Sequence, residues 1–116
     1  MFAYLDDLLR NQKSFSKDQV TNKNSPLIFN VIADDNKEVF DYYIKNYSEY
    51  ININDAKGNS PIFQLLYTKI NTEYFLTELL KFNLDLNAKD EFGKNLKFHA
   101  KKMKNKELLE IINEIN

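Results

Sequence analysis

Displacing the chain against itself by 35 residues (60 − 25) lays Ser25-Pro26-Leu27 on Ser60-Pro61-Ile62. The same displacement lays Phe40 on Phe75, Ile44 on Leu79, Ile51-Asn52 on Leu86-Asn87 and Asp55 on Asp90. It also superposes Gly58 on Gly93, the only 2 glycines of the chain. One step further back, Leu5 falls on Phe40 and Leu9 on Ile44. A single offset shared by caps, apolar positions and turns is what a stack of similar units requires. Periods of about 20–50 residues are its sequence signature. Unrelated helical pairs share apolar spacing by default. They do not share Ser-Pro, Gly and Asn-containing turns at one offset.

Local chemistry inside each unit points to two helices. Ser25-Pro26 and Ser60-Pro61 supply a capping oxygen followed by proline at the first helical position, where the missing N–H costs nothing. Asn95 offers the corresponding cap in the third unit. Leu27, Ile28 and Val31, then Ile62, Phe63, Leu65 and Leu66, make the first helices apolar. A second cap follows at Asn36, Asn71 and Asn105. Two residues later stand Glu38, Glu73 and Glu107, where a helix N-terminus favours negative charge. The second helices carry Val39, Phe40, Tyr43 and Ile44; Tyr74, Phe75, Leu76, Leu79 and Leu80; and Leu108, Leu109, Ile111, Ile112 and Ile115. These recur at i, i+3 and i+4, the helical spacing. Polar turns run through 52–59 and 87–94, and Asp55 and Asp90 are placed to order them by Asx-type bonds.

The turn Asp55-Ala56-Lys57-Gly58-Asn59-Ser60-Pro61-Ile62 and the run Leu79-Leu80-Lys81-Phe82-Asn83-Leu84-Asp85-Leu86-Asn87-Ala88 resemble the ankyrin repeat. The resemblance implies an all-α, ankyrin-type helix-turn-helix solenoid with projecting turns, one domain over 1–116. Residues 1–18 would be a capping half-repeat, with Met1 to Gln12 as its outer helix. Residues 19–53 and 54–88 would be full repeats, and 89–116 a C-terminal capping repeat. The match has departures. Ile28, Phe63 and Phe98 stand where the family has histidine, which implies an apolar rather than a polar link between units. Lys23 replaces a glycine, so the first turn is expected to be distorted, and Ser16-Lys17-Asp18-Gln19 reads as a capping box opening an extra helical turn. Asn83 replaces another glycine and tolerates the left-handed conformation. The period exceeds the usual value of about 33.

Composition closes off several functions. The chain is 43% hydrophobic and 28% charged with net charge -1, so nothing favours nucleic acid or an anionic membrane globally. No apolar run approaches the roughly 20 residues of a membrane span, and the N-terminus lacks the basic region of a secretory leader, so a cytoplasmic protein is expected. With no cysteine and 1 histidine there is little for a metal site, and no Gly-rich loop suits a nucleotide. His99 reads as an ordinary helix residue, and Asp34-Asp35 as turn and dipole chemistry. The expectation is a non-enzyme with no catalytic residue, metal or cofactor. One basic stretch, Lys94, Lys97, Lys101, Lys102, Lys104 and Lys106, reads as a solvated end cap, with polyanion or nucleic-acid binding as the weaker alternative.

Ankyrin proteins usually bind partner proteins through a concave face of turn tips and first helices. Carried over, that face would hold Asn54, Lys57, Asn59, Tyr67, Thr68, Lys89, Glu91, Phe92, Lys94 and Lys102, with Met103 beside them. Thr21, Asn22, Asn24, Ile32 and Ala33 would be first-unit members. Tyr67 and Phe92 are the expected anchors, because aromatic side chains dominate interface energetics. The function expected is therefore a protein–protein interaction module, monomeric when free. An inhibitor or immunity-type protein that neutralises a toxin or enzyme is the sharper alternative.

Overall fold

A computed structural model describes residues 17–115. The N-terminal half-repeat expected over Met1 to Gln12 lies outside the described residues. Regular structure within them is helical throughout, without a strand. The order is α1 (Lys17–Val20), α2 (Leu27–Ala33), α3 (Lys37–Asn46), two 3₁₀ segments η1 (Ser48–Tyr50) and η2 (Pro61–Tyr67), α4 (Thr72–Leu80), α5 (Leu96–Lys102) and α6 (Lys106–Ile115).

The elements form two layers. In one, α2 packs on η2 and η2 on α5. In the other, the ring of Phe40 on α3 stacks on Phe75 of α4, with centroids 4.0 Å apart and planes at 16°, and α4 packs on α6. Equivalent positions of successive units therefore touch. Phe40, Phe75, Ile28, Ile62, Leu65, Leu79, Leu96 and Leu108 are all fully buried between the layers. The apolar stripes of the sequence thus face one another.

Most of the expected caps form. Asn36 accepts from the N–H groups of Glu38 and Val39, Ser60 from Ile62, Asn95 from Phe98 and Asn105 from Leu108. Two do not. Pro26 precedes α2 without a side-chain cap, and the Ser25 hydroxyl lies 3.5 Å from Asn30 instead. Asn71 does not cap α4 either, because its amide donates to the carbonyl of Asp35 at 2.9 Å. The first helix of the second unit is also tighter than expected, a 3₁₀ segment rather than an α-helix. At its end both the N–H and the hydroxyl of Thr68 donate to the carbonyl of Leu65, which draws the last turn in to i, i+3 spacing.

That tighter segment leaves the connection 68–71 with exposed backbone donors, and Asp35 takes them. Its Oδ2 accepts from Lys69 N–H at 2.8 Å and Ile70 N–H at 2.9 Å, and its Oδ1 from Asn71 N–H at 3.0 Å. Asp35 sits at φ 55°, the left-handed region that Asp and Asn enter more readily than most residues. Burial alone would raise its pKa. The backbone donors of Ile70, Lys69 and Asn71 outweigh burial and hold it below the ordinary carboxylate value. Asp34-Asp35 is thus more than a local turn, since Asp35 fastens one inter-helix connection to the next. On the outer layer Asp41 plays a smaller version of the same part. It accepts from the Tyr74 hydroxyl at 2.6 Å and from Lys37 at 2.7 Å, linking α3 to α4.

Candidate functional site

The two polar turns have the same internal wiring. Asp55 Oδ1 accepts from Lys57 N–H at 3.0 Å and Asn59 N–H at 2.9 Å, while Asp55 N–H donates to the carbonyl of Asn59. Asp90 Oδ1 accepts from Phe92 N–H and Lys94 N–H, each at 2.9 Å, while Asp90 N–H donates to the carbonyl of Lys94. Gly58 and Gly93 close the turns at φ 84° and 75°, where a side chain would be strained. The Oδ1 and backbone bonds that close one turn reappear 35 residues on (90 − 55). The expected Asx role of both aspartates holds, and Asn83 takes the left-handed conformation at φ 68°. The first turn differs, as its lysine suggested. Asn22 Oδ1 accepts from the N–H groups of Asn24 and Ser25, and Lys23 offers its carbonyl to Ala56 N–H at 2.7 Å.

The turns are stitched side by side. Glu91 N–H donates to Asn59 Oδ1 at 2.8 Å, and Asn59 Nδ2 donates to Glu91 Oε1 at 3.2 Å. Asn59 and Glu91, expected to meet a partner, are therefore engaged with each other and set the spacing of the tips. Thr68 is corrected outright. It is 4% exposed, and its hydroxyl bonds to Leu65 and Thr72 inside the fold, so it offers no surface. Ile32 is likewise fully buried. Asn54, Lys57, Lys89, Lys94 and Lys102 are exposed. Lys94 Nζ lies 4.8 Å from the Phe98 ring centroid. The two expected anchors stand out into solvent, Tyr67 at 63% and Phe92 at 75% exposure, and Met103 is 55% exposed.

Beside the tips, a cavity of about 270 Å³ opens between η2 and α5. Asn59 and Tyr67 of the expected set line it, together with Asp55, Phe63, Gln64, Asp90, His99 and Met103. His99 is more than an ordinary helix residue. Its Nε2 lies 2.7 Å from Asp90 Oδ2, and its ring stands edge-on to Phe63 and Phe98. An ionised carboxylate only accepts, so Nε2 carries the proton of that bond in the neutral imidazole. Asp90 is held below the ordinary carboxylate value by the Lys94 N–H first, with His99 and the Phe92 N–H adding to it against desolvation. The sequence signal for this pair was available. Nine residues separate Asp90 from His99 (99 − 90), and the same interval separates Asp55 from Gln64 (64 − 55).

Among the described residues, no group of His, Asp and Glu is arranged to hold a metal ion, and no helix is long and apolar enough to cross a membrane. Compared with protein-family models, curated proteins and solved structures, the chain gives no significant match.

Proposed function

We propose that the chain is a short ankyrin-type solenoid, and that it is a non-enzymatic module binding a partner protein through the concave face of its turn tips and first helices. The observation that carries this reading is the conjunction at that face. Two identically wired tips are fixed in spacing by the Asn59–Glu91 pair. Next to them Tyr67, Phe92 and Met103 hold large apolar surface in water. Ordered backbone beside unpartnered aromatics is what a binding surface needs, since little entropy is lost on docking. The inhibitor or immunity-type role is the sharper form of the same reading, in which the partner is a toxin or enzyme masked by occupation.

The test is affinity capture by the tagged protein, followed by a high-salt wash, run in parallel with a Tyr67→Ala/Phe92→Ala double variant. A stoichiometric protein that survives salt and is lost from the variant supports the module. Capture that is indifferent to both substitutions overturns this face. The weaker alternative, polyanion binding, has one observation behind it. Lys101, Lys102, Lys104 and Lys106 are exposed together at the end of the chain, near the Lys94–Phe98 pair. Nucleic acid retained at low salt and released as salt rises, with loss on Lys101→Glu/Lys102→Glu, would favour it.

A further inference from the structure

Comparing the two tips exposes an unused acceptor. In the third unit both oxygens of Asp90 are occupied, Oδ1 by two backbone N–H groups and Oδ2 by His99. In the second unit Asp55 Oδ1 is occupied in the same way. Its histidine counterpart is Gln64 (99 − 35), and no bond joins the two. Among the described residues, Asp55 Oδ2 and the Gln64 amide have no hydrogen-bonding partner. Both line the cavity that His99 and Asp90 also line.

We propose that this cavity receives an arginine side chain of the partner protein, its guanidinium on Asp55 Oδ2 and Gln64 Oε1. The proposal rests on the interaction-module reading above. Three properties select the occupant. The first is charge. The lining contains two carboxylates, and its lone candidate cation, His99, is bonded to Asp90 and leaves Asp55 without one. Lysines such as Lys57 and Lys94 stand outside the lining. The second is shape. A volume of about 270 Å³ falls below the roughly 300–1,000 Å³ of pockets that enclose small-molecule ligands, and it suits one long side chain. The third is donor geometry. The open acceptors belong to two different residues lining one cavity with the Tyr67 ring, and a planar guanidinium offers several N–H groups together with a face that stacks on aromatic rings. An ammonium is a compact, strongly hydrated charge and gains less from such a site.

The experiment is an NMR titration of the ¹⁵N-labelled protein with N-acetyl-arginine methylamide at fixed ionic strength. The citrulline and lysine analogues serve as matched probes. Expected are saturable shifts at Asp55, Tyr67 and the Gln64 side-chain amide, with the uncharged citrulline analogue about tenfold weaker. Asp55→Asn keeps an Oδ1 for the two turn N–H groups, so the tip stays formed, and it should weaken the arginine probe by a similar factor. Gln64→Leu provides a second variant away from the turn wiring and should weaken it less. Equal shifts from the citrulline analogue, or indifference to Asp55→Asn in a protein with an unchanged spectrum elsewhere, would overturn the proposal. A lysine analogue as good as arginine would overturn the guanidinium assignment. The two readings fail separately. If partner capture depends on Tyr67 and Phe92 while the arginine probe leaves the cavity untouched, the arginine slot is wrong and the module stands.

Discussion

Asp35→Asn is the substitution that most sharply tests how the units are joined. The carboxylate accepts three backbone N–H groups from the next inter-helix connection. Asparagine has nearly the same shape and tolerates the positive φ, so backbone strain is not added. It does replace one oxygen by a donor. With its oxygen toward Lys69 and Ile70, its amide would face the Asn71 N–H, donor against donor. Two charge-assisted bonds become neutral and one is lost. Such bonds contribute about 1.5–3 kcal/mol when charged and roughly 0.5–1.5 kcal/mol when neutral. Discounted for the partial exposure of Asp35, the net loss is about 2 kcal/mol. For a domain of this size that lowers Tm by roughly 6–10 °C, read by circular dichroism at neutral pH. Asp35→Gly separates the bonds from the backbone, because glycine accepts the left-handed conformation freely and should still be destabilised. A Tm for Asp35→Asn within about 1 °C of the parent would refute the staple, since that is under about 0.5 kcal/mol. The pH dependence has a fixed sign. The folded pKa of Asp35 is below its unfolded value, so its stabilisation is complete above about pH 4 and is lost as pH falls through the folded pKa. The parent should lose more stability than Asp35→Asn on acidification below that point.

Other outcomes follow from the packing and the turns. Phe75→Ala removes a fully buried ring stacked on Phe40 and should destabilise by about 3–5 kcal/mol, read as a large fall in the urea midpoint. Gly58→Ala and Gly93→Ala meet open space but force alanine to positive φ, so each should cost about 1–2 kcal/mol, and asparagine at the same positions less. Removing residues 96–116 takes away α5 and α6, which cover η2 and α4, and should yield an insoluble or molten protein. A soluble truncation with a cooperative melt would contradict the proposed solenoid, in which each unit is stabilised by its neighbours.

The features legible in the sequence are those decided within a few residues. Gly58, Gly93 and Asn83 adopt positive φ because the turn demands it and those residues permit it. Asp55 and Asp90 bond two and four residues ahead, and Asn36, Asn95 and Asn105 cap their own helices. What stayed hidden spans units. The partners of Asp35 lie 34 to 36 residues away, and nothing near Asp35 marks it as their acceptor. Asn71 carries the pattern of a cap yet is drawn to Asp35, because a bond between units competes with the local one. Thr68 looked like a surface residue on the inner helix. The tightening of η2 turns it inward, where its hydroxyl meets Thr72. At the candidate site, the exposure of Tyr67 and Phe92 was readable from their place in and beside the polar turns. The cavity beside them was not, since it arises where Phe63, Gln64 and His99 from two units come together.

Binding through the turn tips is tested most directly by amide hydrogen exchange on the complex with the partner that capture returns. Slowed exchange is expected in the tips 54–60 and 89–95 and around Tyr67 and Met103, with α3, α4 and α6 unchanged. Protection confined to those outer helices, with the tips exchanging as in the free protein, would contradict it.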